Sequence, residues 1–147
     1  MMNRFVKGWF ERGQKEDAGS IFQFFCYFIA FNFLYDKYTG HDRHKLEKLV
    51  EKDIIPLLSN EASAILEEGA AFYDEPGPCF RSERPVAKLT RESPLKDVFL
   101  NIYQVRCNLF HGSKAMDTPR DIALVSTSAN VLQRFLGRWL EKNGGLR

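Results

Sequence analysis

The sequence predicts an all-α fold, an up-and-down bundle of four to five main helices. Three observations carry that expectation. Apolar residues recur at helical spacing in separate segments, as in Leu46, Leu49, Val50 and Ile54, and again from Ile122 to Leu140. Helix punctuation frames two segments. Ser93-Pro94 and Thr118-Pro119 each read as an N-cap with proline in the first turn, while Gly112 and Asn143-Gly144-Gly145 read as stops. Between Ile21 and Tyr35 only Gln23 and Asn32 are polar, and the run continues to Gly40 without a turn. Aromatic residues favour strands, but strands seldom exceed about ten residues, so length decides for helix.

Each element follows in order. Asn3 to Arg12 forms a short helix with Phe5, Trp9 and Phe10 on one side. Gly13 to Ser20 supplies breakers, and Ser20 caps the next helix. That helix is apolar all round and must be covered all round. In a chain of 147 residues it is either the central helix or partly covered by a second copy. Its apolar run falls short of the roughly 20 residues that a membrane span needs. The amphipathic helix through Leu46 and Ile54 should kink or end at Pro56, and another runs from Asn60 to Phe72. From Gly69 to Ser93, proline, glycine and charge mark a long loop with room for one short element; loops of this length are often functional. The Ser93–His111 helix comes next. The last helix buries Ile122, Val125, Ala129 and Leu132, then Phe135, Leu136, Trp139 and Leu140. One domain spans residues 1–147, with its core over 20–142, and holds no internal repeat or low-complexity segment.

Composition narrows the function. The net charge of +2 does not by itself announce a nucleic-acid binder. Charge is uneven, however: Cys79 to Lys114 holds seven basic residues against three acids, a local excess able to attract a polyanion or simply to solvate a loop. Three cysteines, with no C-x-x-C, indicate neither a disulfide frame nor a zinc site and suit a reducing cytoplasm. The N-terminus lacks a signal-peptide pattern. His41 and His44 are three residues apart, but no third ligand stands nearby, so no metal is expected.

The segment "VRCNLFHGSK" carries the functional question. At 3.6 residues per turn, Arg106 falls in the apolar arc of Leu95, Phe99 and Ile102. A guanidinium there is costly unless satisfied, and it does not shed its proton. It can bond an acid or helix-end carbonyls, snorkel to the surface, or face a cleft that holds an anion. His111 lies outside that arc, on the last turn before Gly112, where a histidine ordinarily caps carbonyls. Asn32, a buried amide, either bonds a neighbouring helix, holds Arg106, or lines the cleft.

The Arg-x4-His pattern in "RCNLFHG", together with the aromatic "FIAFNFLY" and its asparagine, resembles the HEPN domains, small all-α domains of which many are metal-independent endoribonucleases. The likeness covers residues 20–140. It implies Arg106 and His111 as the catalytic pair, no metal and no cofactor. It also implies a homodimer whose two motifs line one cleft, RNA as substrate, and a toxin or phage-defence setting with an antitoxin or regulatory protein as partner. The family's residue after the arginine is usually polar; here it is Cys107, with Asn108 next as the replacement. One subgroup carries Arg-x4-His-x-Tyr, which this chain departs from at Ser113. An imidazole, titrating near neutrality, can take the 2′-hydroxyl proton or protonate the 5′-oxygen. A guanidinium can stabilise charge on the phosphate. Asn108, Lys114 and Asn32 are the candidate substrate-binding residues, with Arg81, Arg84 and Lys88 as strand guides or a solvated loop. Two other readings stay open: a non-catalytic HEPN-like module that binds nucleotide or RNA or serves dimerisation, and a helical assembly protein in which Arg106 is structural.

Overall fold

A computed structural model describes residues 2–68, 77–78, 85–86, 95–111 and 119–144; at Met2, Leu66, Glu68, 77–78, 85–86, Phe110, His111 and Arg120 it describes the backbone alone. The fold is an all-α helical bundle. Helix α1 covers Met2–Gln14 and α2 covers Ile21–Tyr35. Val6 and Phe10 of α1 are buried, whereas Phe5 falls on another flank, 39% exposed, and stacks on Phe33 of α2 with ring centroids 4.1 Å apart. The expected grouping of Phe5 with Phe10 therefore fails: five residues do not return a helix to the same face.

The α1–α2 connection is held by polar atoms. Ser20 is the N-cap, its hydroxyl accepting from the Gln23 amide at 3.1 Å. The buried Gln23 side chain donates to the Gly13 carbonyl at 3.1 Å and accepts from the Gly19 amide at 2.8 Å. A buried amide is tolerable when so satisfied. Gly13 is a close approach: a Cβ there would lie 2.4 Å from the Tyr27 ring.

Helix α2 is the central helix, packed mainly on α1 and on α7, Pro119–Lys142. Nine of its fifteen residues are buried, yet Phe22 remains 65% and Ile29 39% exposed, so its coverage is incomplete. The helix stops at Tyr35, before the expected Gly40. Asp36 caps it and pairs with Lys45, and Lys37 pairs with Asp53, so the polar segment leaves the helix axis for partners in the next element. Gly40, at φ 111°, belongs to the linker.

Helix α3 runs from Asp42 to Leu49, its α winding ending ahead of Pro56 rather than at it. It widens into a π turn over Val50–Ile54 and resumes as α4, Ile55–Leu58, with Pro56 in the first turn. A proline removes one donor and crowds the carbonyl four residues back, and the wider winding precedes that position. A 3₁₀ turn, Ser59–Glu61, leads to α5, Ala62–Glu68, a start two residues later than expected. In the segment read as a loop, Gly77–Pro78 (β1) pairs antiparallel with Pro85–Val86 (β2). Helix α6 covers Leu95–His111. Ser93, Pro94, Gly112 and Thr118, read as helix punctuation, lie outside the described residues.

The core joins α2, α6 and α7 through aromatic rings. Phe31 meets Phe99 at 5.8 Å and Phe135 at 5.9 Å, and those two meet each other at 6.0 Å. Offset and edge-on contacts of this kind add to the apolar area they bury. The predicted stripe of α7 is buried from Val125 to Leu140; Ile122 is the exception at 50% exposure, although Asp121 beside it and Leu124 are buried. Among the described residues no helix is long and apolar enough to cross a membrane.

Candidate functional site

Helix α6 buries Val98, Phe99, Ile102, Val105 and Leu109 and carries Arg106 at half-burial beside them. The guanidinium carbon sits 5.7 Å from the ring centroid of Phe28 on α2. An aromatic face supports a cation electrostatically without neutralising it. Here the arginine borders a cavity of about 550 Å³ whose apolar walls are Phe5, Phe25, Phe28 and Phe33. Asn32 and Asp36 form its polar side together with Arg106. The arginine on the greasy side of α6 thus faces a cleft between α1, α2 and α6.

Asn32 is held at both ends of its amide. It accepts from the Tyr35 hydroxyl at 2.6 Å and donates to Asp36 Oδ2 at 2.8 Å. Both bonds stay within the end of its own helix, with residues 35 and 36. Asp36, with a side chain 48% exposed, receives Lys45 Nζ on its other oxygen at 3.1 Å.

Two tyrosines back the arginine. Tyr35 is fully buried, and burial pushes its hydroxyl well above the ordinary range, with Asp42 adding and the charge of Arg106 opposing. Tyr103, on the turn of α6 before Cys107, is pushed up to about 12 by burial, then by its hydrogen bond with Cys107 and the negative charge of Asp42, against Arg106. Both phenols therefore remain protonated at neutral pH and can serve as hydrogen-bond donors.

The other sequence candidates divide. Asn108 is buried at 1% exposure and accepts from Gln104 Nε2 at 2.6 Å; it does not line the cavity. Two residues along a helix rotate by about 200°, so Asn108 and Arg106 stand on opposite sides of α6. His111 is the last residue of α6, and its side chain lies outside the description, as do Lys114, Arg81, Arg84 and Lys88 altogether. His41 is the N-cap of α3, its ring accepting from the His44 amide at 3.4 Å. Among the described residues no group of three or more His, Cys, Asp or Glu could hold a metal ion. Reading the sequence missed Phe28 and Asp36. Asp36 was within reach, because it follows Asn32 at i+4; Phe28 meets Arg106 only across two helices.

A second cavity, of about 570 Å³, lies between α1, the 3₁₀ turn and α7. There Arg134 Nη1 and Arg138 Nε each reach Glu61 at 2.8 Å, on separate oxygens. Burial pushes the Glu61 carboxyl up, but the hydrogen bonds and charges of the two arginines outweigh it and hold the group below its ordinary range. No protein-family model, curated protein or solved structure matches the chain.

Proposed function

We propose that the chain is a metal-independent endoribonuclease of the HEPN type, acting as a homodimer with Arg106 and His111 as its catalytic pair. The observation that supports this reading is the position of Arg106: half-buried on an aromatic ring, beside an open cavity, on the helix that His111 closes. Five residues advance a helix by about 7.5 Å and turn it by about 140°, so this reading has one phosphodiester bridge two faces of α6, which the paired motifs of a homodimer would allow.

In this mechanism one imidazole removes the 2′-hydroxyl proton and that oxygen attacks phosphorus. The 5′-oxygen leaves with a proton from the second chain's imidazole, giving a 2′,3′-cyclic phosphate and a 5′-hydroxyl. The guanidinium stabilises the charge gathering on the phosphoryl oxygens. Phe22, exposed at 65% near the start of α2, gives the pairing of two chains an apolar contact. The reading implies a toxin or phage-defence role in a reducing cytoplasm, with an antitoxin or regulatory protein restraining activity.

A non-catalytic RNA- or nucleotide-binding module is the second reading. It is favoured by Asn108, which is turned into the core and so cannot replace the polar residue that Cys107 displaces. Incubation with RNA in EDTA separates the two. Cleavage that survives chelation, disappears in His111→Ala and Arg106→Ala, and spares DNA is the expected result. Failure to cut any RNA, with salt-sensitive binding retained, assigns the chain to the second.

A further inference from the structure

We infer that the cavity beside Arg106 is a binding site for a single unstacked guanine base, contiguous with the phosphate that Arg106 contacts. The inference rests on the ribonuclease reading for that phosphate but names a ligand which the reading does not require. Its first support is shape and lining. At about 550 Å³ the cavity is of ligand size, and Phe5, Phe25, Phe28 and Phe33 give it aromatic walls. Single-stranded RNA is read by splaying out bases and stacking them on such rings, a contact worth about 1–3 kcal/mol per base.

The second support is the polar side, which selects among bases. Asp36 carries one hydrogen bond on each carboxylate oxygen, from Asn32 and from Lys45. An ionised carboxylate has about four acceptor sites, so each oxygen retains capacity. Asn32 spends one amide hydrogen on Asp36 and retains another. The rim therefore offers two adjacent acceptors and one neighbouring donor. Guanine presents the complement along its Watson–Crick edge: two adjacent donors, N1–H and the exocyclic amine, beside the O6 acceptor. Adenine, cytosine and uracil each present a single donor group there. Charge agrees with this assignment, since the cation of Arg106 lies on the same wall for the attached phosphate while the carboxylate faces the donor edge. The grip of Tyr35 on Asn32 at 2.6 Å keeps the amide oriented.

The test is titration of the full chain with each of the four nucleoside 5′-monophosphates, followed by ligand-detected NMR. Guanosine monophosphate should bind at least about tenfold tighter than the others, in line with one bidentate base contact. Asp36→Asn should erase that preference while leaving weak binding of all four. Phe5→Ala, at an exposed position, should weaken all four alike. Equal affinities in the wild type overturn the inference, and so does a preference that survives Asp36→Asn. A stable dimer that excludes every nucleotide also overturns it and gives this face to a second copy of the chain. RNA cleavage without preference for guanine would refute the base site alone. Guanine-selective binding without any cleavage would refute the nuclease alone.

Discussion

Two arginine sites border cavities of nearly equal size, and they hold positive charge in opposite ways. At Glu61, two guanidiniums from α7 converge on one carboxylate, each at 2.8 Å. At α6, the guanidinium of Arg106 lies against the face of Phe28, with aromatic rings around it. A carboxylate spends a cation on the fold. An aromatic ring adds electrostatic support to one from its face. The first arrangement ties α7 to the turn before α5; the second sets a guanidinium on the wall of a cavity.

The sharpest break between the sites is catalytic. Arg106→Ala should lower RNA cleavage by about 10²- to 10³-fold, the range seen when one group stabilising transition-state charge is removed. Arg138→Ala should leave the rate within a factor of about two, as expected for a surface substitution away from the chemistry. Equal losses in a single-turnover assay would erase the distinction. Replacing the supporting ring is a smaller change. Phe28→Leu keeps most of the core volume but removes a contact worth about 1 kcal/mol, so cleavage should drop about fivefold, with intact helicity by circular dichroism.

Glu61→Gln should act only on stability. Loss of its two charge-assisted bonds should lower the thermal midpoint by about 2–4 °C at pH 7, with cleavage unchanged. The sign with pH follows from the lowered pKa of Glu61 in the fold. The unfolded carboxyl titrates near about 4.3. The folded group titrates below that, so its contribution is complete above the unfolded value and is lost as pH falls through the folded one. Wild-type and variant midpoints, measured by scanning calorimetry, should converge in acid.

Much of the fold was legible because it is written in local patterns. The Ser20 cap, the stripe from Val125 to Leu140 and the disturbance at Pro56 all depend on neighbours within a few turns. The end of α2 was not legible. It depends on Lys45 and Asp53 meeting Asp36 and Lys37 across the chain. Ile122 fits the α7 pattern yet stays exposed, while the polar Asp121 beside it is buried. At the site, helical spacing exposed the anomaly of Arg106, and the same spacing could have set Asn108 on the opposite side of α6. No spacing encodes the ring beneath the guanidinium, since α2 and α6 meet only through the fold.

The tight contact at Gly13 reaches further than its own surroundings. With no side chain there, α1 lies close to α2, and a Cβ would come within 2.4 Å of Tyr27. Phe5 of α1 and Phe33 of α2 stack on each other and both line the cavity, so the spacing of these two helices sets whether that aromatic pair stays closed. A single methyl group at residue 13 would act as a wedge, parting that pair from two turns away. The wall of the cavity thus depends on an atom that residue 13 lacks, at a position outside the cavity's own lining.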